Sequence, residues 1–216
     1  MRGSKLVFNF AERANFSKAD LRGAVLDESN LFGAYMKDAR IENISLFKTN
    51  IVASELKYVR DLDALKIVIQ EKMGGYARAA VVYGTLRDYF DREHETKWRN
   101  YFHYREYWVK LKAKETPSIE KLKLTLNWLM SGFGVKPLRL IFVMVAVILV
   151  FSAIYSILGM PFSVSLEVSV RSFFGLGGIG VVGSSIMSLI TLESVVGSML
   201  VLLLVALIAK FNSMEI

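Results

Sequence analysis

No cysteine occurs in the 216 residues, which excludes disulfides, thiolate metal sites and cysteine nucleophiles. Histidine is nearly as scarce. His94 and His103 are the only two, and His94-Glu95 is not followed by the second histidine that a zinc-protease helix needs. No Ser or Thr stands with a recognisable base and orienting partner, so no catalytic residue is expected and the chain does not read as an enzyme. No basic-then-apolar leader with a cleavage site opens the chain, and the N-terminal part is expected not to be secreted.

Charge is missing from one long stretch. Of 27 Lys/Arg and 20 Asp/Glu, only Glu167, Arg171 and Glu193 fall between Leu140 and Ala209. A polar body is therefore joined to an apolar one of membrane type. The net charge of +7 gathers just ahead of the apolar part, with eleven Lys/Arg against five Asp/Glu between Arg92 and Arg139. That is the pattern of a cytoplasmic flank. The bilayer, and no nucleic acid, is the partner that this charge implies.

What is present first is a repeat. In steps of five from Phe16 come Leu21, Leu26, Leu31, Met36, Ile41, Leu46, Ile51 and Leu56, all apolar. Two residues before each stand Ala14, Ala19, Ala24, Ser29, Ala34, Ala39, Ile44, Thr49 and Ser54, small except for Ile44, which is expected to mark a distorted coil. A period of five fits neither a helix face nor an alternating strand. The units Ala19-Asp20-Leu21 and Ser29-Asn30-Leu31 resemble the A-D/N-L-x-x repeat of the pentapeptide-repeat family. The resemblance implies a right-handed, four-sided β-helix with both inward residues stacked. Nine repeats give a short solenoid over residues 1–58, with Phe8 and Phe10 as its cap and a docking surface for a cytoplasmic protein partner or ligand.

Residues 59–135 read as a helical middle domain. Asp61 is expected to cap a helix to Lys72 that Gly74-Gly75 ends; further helices are expected from Tyr76 to about Asp91 and from Glu95 to Lys114. The last carries an aromatic stripe of Trp98, Tyr101, Phe102 and Trp108, which reads as the core of a helical hairpin. Thr116-Pro117 opens an amphipathic helix with Ile119, Leu122, Leu126 and Leu129 on one face, suited to the membrane surface.

Residues 136–216 form the membrane part, with spans expected at about 138–158 and 188–210. Lys136, Arg139 and Lys210 at their ends place both termini in the cytoplasm. The connection between them is too apolar for a solvated loop and too short to cross twice, so a re-entrant segment is expected. Ser163 to Val170 alternates with period two; periodicity alone would make it a strand, and its place between two spans makes it a helix. Gly175-Leu176-Gly177-Gly178-Ile179-Gly180 fits the glycine string of dinucleotide folds, but no soluble strand-turn-helix surrounds it. Its glycines suit backbone carbonyls turned towards an axis.

Repeats, a helical middle, the link from Trp128 to Arg139 and two spans around a loop together resemble bacterial and archaeal pentapeptide-repeat proteins with a two-span potassium-channel domain. The resemblance covers nearly the whole chain. It implies a homotetramer in the cell membrane, with a pore helix at about 163–174, a filter at 175–180 and an inner helix at about 190–210. Without gaps the family's S-x-x-T-F-T-T-L-G-Y-G-D falls on Ser169 to Gly180, with Gly175 in place of the filter threonine, Gly178 of the tyrosine, Ile179 of the last glycine and Gly180 of the aspartate; a one-residue insertion would instead place Gly178-Ile179-Gly180 on G-Y-G, still without the threonine hydroxyl.

The expectation is a channel for a monovalent cation, with no other cofactor, whose potassium selectivity these departures put in question. Arg171 in the pore helix, beside Ser172, pairs with Glu167 four residues earlier or faces the axis, where four copies would favour anions. An anion-selective channel of this architecture and a non-conducting membrane scaffold are the alternatives. Gly197, between Ser194 and Ser198, suits a gating bend or close helix packing.

Overall fold

A computed structural model describes residues 11–176 and 184–212. The chain divides into two compact units, residues 1–125 and 126–216.

The first unit begins with turns repeated every five residues. Each has one residue in the left-handed region, from Arg13 and Lys18 to Lys48 and Ala53, with Gly23 and Gly33 in the same series. The fifth residue of each step forms a single parallel bridge twenty residues on, at Asn15 to Tyr35, Asp20 to Arg40, Val25 to Ser45 and Asn30 to Asn50. Leu21 N donates to Arg40 O at 2.8 Å and Arg40 N to Ala19 O at 2.9 Å, so four turns complete one coil.

The expected β-helix is corrected at this point. Among the described residues no β-strand occurs, and those residues are mostly helical, with seven α-helices. The physical reason is the turn itself: a left-handed residue in every step leaves one bridging residue per side, too few for a strand.

The inward residues are those that the repeat predicts. Leu21, Leu31, Met36, Ile41 and Leu56 have no exposed surface, and Ala24, Ala34 and Ala39 lie under them with none either. Ile44 is buried in the same register, and its N–H donates to Ile41 O at 3.0 Å as in its neighbouring turns, so the expected distortion is absent. The acidic or amide residue of the unit has a local task. Asn15, Asp20, Asn30 and Asn50 each accept the N–H two residues on through a side-chain oxygen, at 2.9–3.2 Å, which fixes the turn. The Arg22 guanidinium, 2.7 Å from Asp20, also holds the Asp20 carboxyl well below the usual carboxylate range. Phe8 and Phe10 lie outside the described residues.

Asp61 does not cap a helix to Lys72. Its carboxylate accepts Ile41 N–H at 2.8 Å and Glu42 N–H at 3.1 Å, extending the ladder with a side chain where the backbone leaves the coil. A 3-10 turn at Leu62–Lys66 and a short α1, Ile69–Lys72, replace the single helix, and Gly74 at φ 76° ends it.

Helices α2, Tyr76–Arg92, and α3, Thr96–Lys112, form an antiparallel hairpin. One hydrophobic core runs from Phe16 of the coil to Val109 of α3. Phe102 is its centre, with Phe90, Trp98 and Tyr83 at ring-centroid distances of 5.5, 5.7 and 6.1 Å.

Tyrosine hydroxyls stitch the hairpin to the last turn of the coil and to the segment after it. Tyr89 donates to Ser54 O at 2.8 Å, and Tyr101 to Lys66 O at 3.1 Å. Burial pushes the Tyr89 phenol up to about 12. The unfolded phenol ionises near pH ~10, so the folded state keeps a proton that the unfolded chain has lost. Stability is then full below pH ~10 and falls as pH rises through the folded value. Tyr89→Phe is expected to flatten part of this loss, read as the difference in urea midpoint between pH 8 and pH 11; an unchanged pH slope would contradict it.

Helix α4, Ser118–Ser131, follows. Thr116 does not cap it; its hydroxyl donates to Lys110 O at 2.7 Å and closes α3 instead. Ile119, Leu122, Leu126 and Leu129 are all at least half exposed. In the second unit, α5 is Pro137–Ile157, α6 Phe162–Phe173 and α7 Ser184–Asn212. Arg139 at the start of α5 lies 5.0 Å from the Trp128 ring. Helices α5 and α7 are long and apolar enough to cross a membrane, over Leu138–Ile157 and Ile186–Ala209.

Candidate functional site

The site is built where α6 packs on both long helices. Despite its period-two sequence, Ser163–Val170 is helical. Ser165, Val168, Ser169, Ser172 and Phe173 are its buried residues, spaced three and four apart, so one face is covered although serine and valine alternate along the chain. The helix ends at Phe173, and Gly175 turns out of it at φ 66°, a conformation that glycine adopts without a Cβ penalty. Leu176 is exposed. Gly177, Gly178, Ile179 and Gly180 lie outside the described residues.

Arg171 and Glu167 form an ion pair at 2.9 Å, both half exposed on α6. The intrahelical pair that the sequence offers Arg171 is thus formed. Ser172 is buried.

Gly197 lies where α7 passes the end of α6. A Cβ there would stand 2.8 Å from the carbonyl carbon of Phe173 and 2.9 Å from its Cα, and closer still to its carbonyl oxygen. The helix is continuous through this position, so the glycine serves backbone approach. The close face runs through Glu193, Gly197 and Leu200, all buried, whereas Ser198 is exposed, so the Ser194/Ser198 pair is not the packing seam.

Sequence reading gave Glu193 no role. It has no exposed surface, although it sits in the middle of an apolar helix. Its Oε2 accepts the Tyr155 hydroxyl of α5 at 2.8 Å, and its Oε1 meets the Ser169 hydroxyl of α6. Ser169 Oγ is also 2.8 Å from Ile148 O. Ser152, one turn before Tyr155, is fully buried with no hydrogen-bond partner among the described residues. The available signal was Glu193 itself, a lone acid in a membrane-length run.

Among the described residues no group of three His, Asp or Glu could hold a metal ion. Comparison with known families matches residues 12–46 to pentapeptide repeats, in eight copies. No curated protein and no solved structure matches the chain.

Proposed function

We propose that the chain is the subunit of a homotetrameric pore-loop ion channel that passes monovalent cations, with the pentapeptide repeats and both termini in the cytoplasm. The observation that carries this reading is α6. At twelve residues it extends about 18 Å, too short to cross a bilayer, yet it is packed against two helices long enough to do so. It ends in a left-handed glycine that leads into a glycine-rich run. Irregular backbone at membrane depth is stable only where protein or a water-filled cavity surrounds it, and an axis shared by several copies supplies both. The outward sides of α5 and α7 support a lipid surround: Phe142, Leu149, Met199 and Leu202 are all more than half exposed. Lys136 and Arg139 before α5 favour a cytoplasmic start.

The ion pair of Arg171 with Glu167 favours cations over anions, because the only cationic side chain of α6 is already neutralised on its own helix. Purified protein in a planar bilayer under a potassium chloride gradient is expected to reverse near the potassium potential, and to reverse less negatively when sodium replaces potassium on one side. Reversal near the chloride potential, or reproducible silence, would overturn the reading in favour of an anion pore or a scaffold. Arg171→Gln is expected to leave the sign of the reversal potential unchanged. A shift of that potential from the chloride side to the potassium side would place Arg171 on the conduction path.

A further inference from the structure

We infer that Glu193 carries a proton and, in that form, is the positioning residue that fastens α6 to both long helices. The argument is a count of hydrogens. Ser169 has one hydroxyl hydrogen, and the Ile148 carbonyl, 2.8 Å from its Oγ, can only accept. With that hydrogen spent on Ile148, the bond between Ser169 Oγ and Glu193 Oε1 has a donor only if Glu193 brings it. Tyr155 then donates to Oε2 at 2.8 Å. Every hydrogen has one acceptor, in the order Tyr155, Glu193, Ser169, Ile148. An ionised Glu193 would leave the Ser169 hydrogen shared between two acceptors.

The surroundings agree with the count. On α6 the charged groups are Arg171 and Glu167, which are half exposed and paired with each other. On α5 the charged group is Arg139, at its first turn, where it contacts Trp128. No described cation reaches Glu193, and a buried carboxylate without a counter-ion is strongly disfavoured in an apolar setting. The neutral acid, by contrast, joins α7 to α5 through Tyr155 and to α6 through Ser169, while Ser169 joins α6 to α5. One side chain thus fixes the short helix on which the pore reading rests.

The test compares Glu193→Gln, Glu193→Ala and the parent in detergent. A glutamine reproduces the protonated acid, donating from Nε2 to Ser169 and accepting Tyr155 at Oε1. Glu193→Gln is therefore expected to unfold within about 2 °C of the parent, and Glu193→Ala markedly lower. Infrared difference spectra of protein carrying 13C-labelled glutamate are expected to show a protonated-carboxyl C=O band at neutral pH that disappears in Glu193→Gln. A carboxylate signature assigned to Glu193, or a Glu193→Gln protein as unstable as Glu193→Ala, overturns the inference. If Glu193→Ala fails to fold, the infrared band decides alone. Neither readout needs ion flow, so a silent bilayer would remove the channel and leave this inference standing.

Discussion

Gly197→Ala lowers the thermal midpoint of the purified protein in detergent and loosens the end of α6. The single added methyl would overlap the Phe173 backbone, with its carbonyl carbon at 2.8 Å and its Cα at 2.9 Å. Backbone cannot rotate aside as a side chain can, so two helices must separate or α6 must shift. Overpacking of this kind costs about 1–3 kcal/mol where side chains can repack, and the upper end is expected where the obstacle is main chain. The displacement falls on the turn that carries Gly175, so the conductance proposed above is expected to change alongside the lost stability. Ser198→Ala, at an exposed neighbour on the same helix, is the control and should leave the midpoint unchanged. Equal midpoints for Gly197→Ala and the parent would show that the two helices are not held at this separation.

Phe102→Ala is expected to have the largest effect in the first unit. Phe102 has no exposed surface and lies among Phe90, Trp98 and Tyr83, with Tyr101 at 5.5 Å edge-on. Its removal takes away apolar contact and leaves a cavity that neighbouring rings cannot close without losing their own geometry, a loss of about 3–5 kcal/mol. Trp98 stacks on Phe102, so its fluorescence in a urea titration reports the change directly. Tyr35→Ala, at a half-exposed bridge position, should shift the same transition little. A Phe102→Ala midpoint equal to that of Tyr35→Ala would mean that the hairpin is not the centre of the core.

The helices were the most legible part of the sequence. The hairpin boundaries fall within about two residues of the expected ones, because Gly74-Gly75 and the polar break after Arg92 are local signals. The short α6 runs one residue ahead of expectation at both ends, Phe162–Phe173, although its own periodicity pointed to a strand. The five-residue period correctly gave the inward residues, yet not the secondary structure. Repetition reports which side chains share a direction, while the absence of strands follows from the left-handed residue in each turn, a position filled by Arg, Lys, Glu, Asp, Asn, Ala and Gly alike.

Asp61 was misread because a carboxylate ahead of an apolar run signals a helix start, and nothing local shows that the unsatisfied N–H groups of Ile41 and Glu42 compete for it. Glu193 stands out as a lone acid, but its partners escape a local reading for the same reason on a larger scale, since Tyr155 and Ser169 stand 38 and 24 residues away. What the sequence suggests of the glycine run meets the structure only at Gly175 and Leu176, because Gly177 to Gly180 fall outside the described residues.

The twenty-residue ladder sets a rule for how this chain can change in length. Adding one residue between Leu21 and Leu31 would turn every later apolar residue of the coil away from its stack. A whole pentapeptide would keep them inward but move each bridge partner by one side. Only four pentapeptides together restore every later residue to its own side of the coil, so the coil should lengthen in evolution by duplication of whole turns of twenty residues.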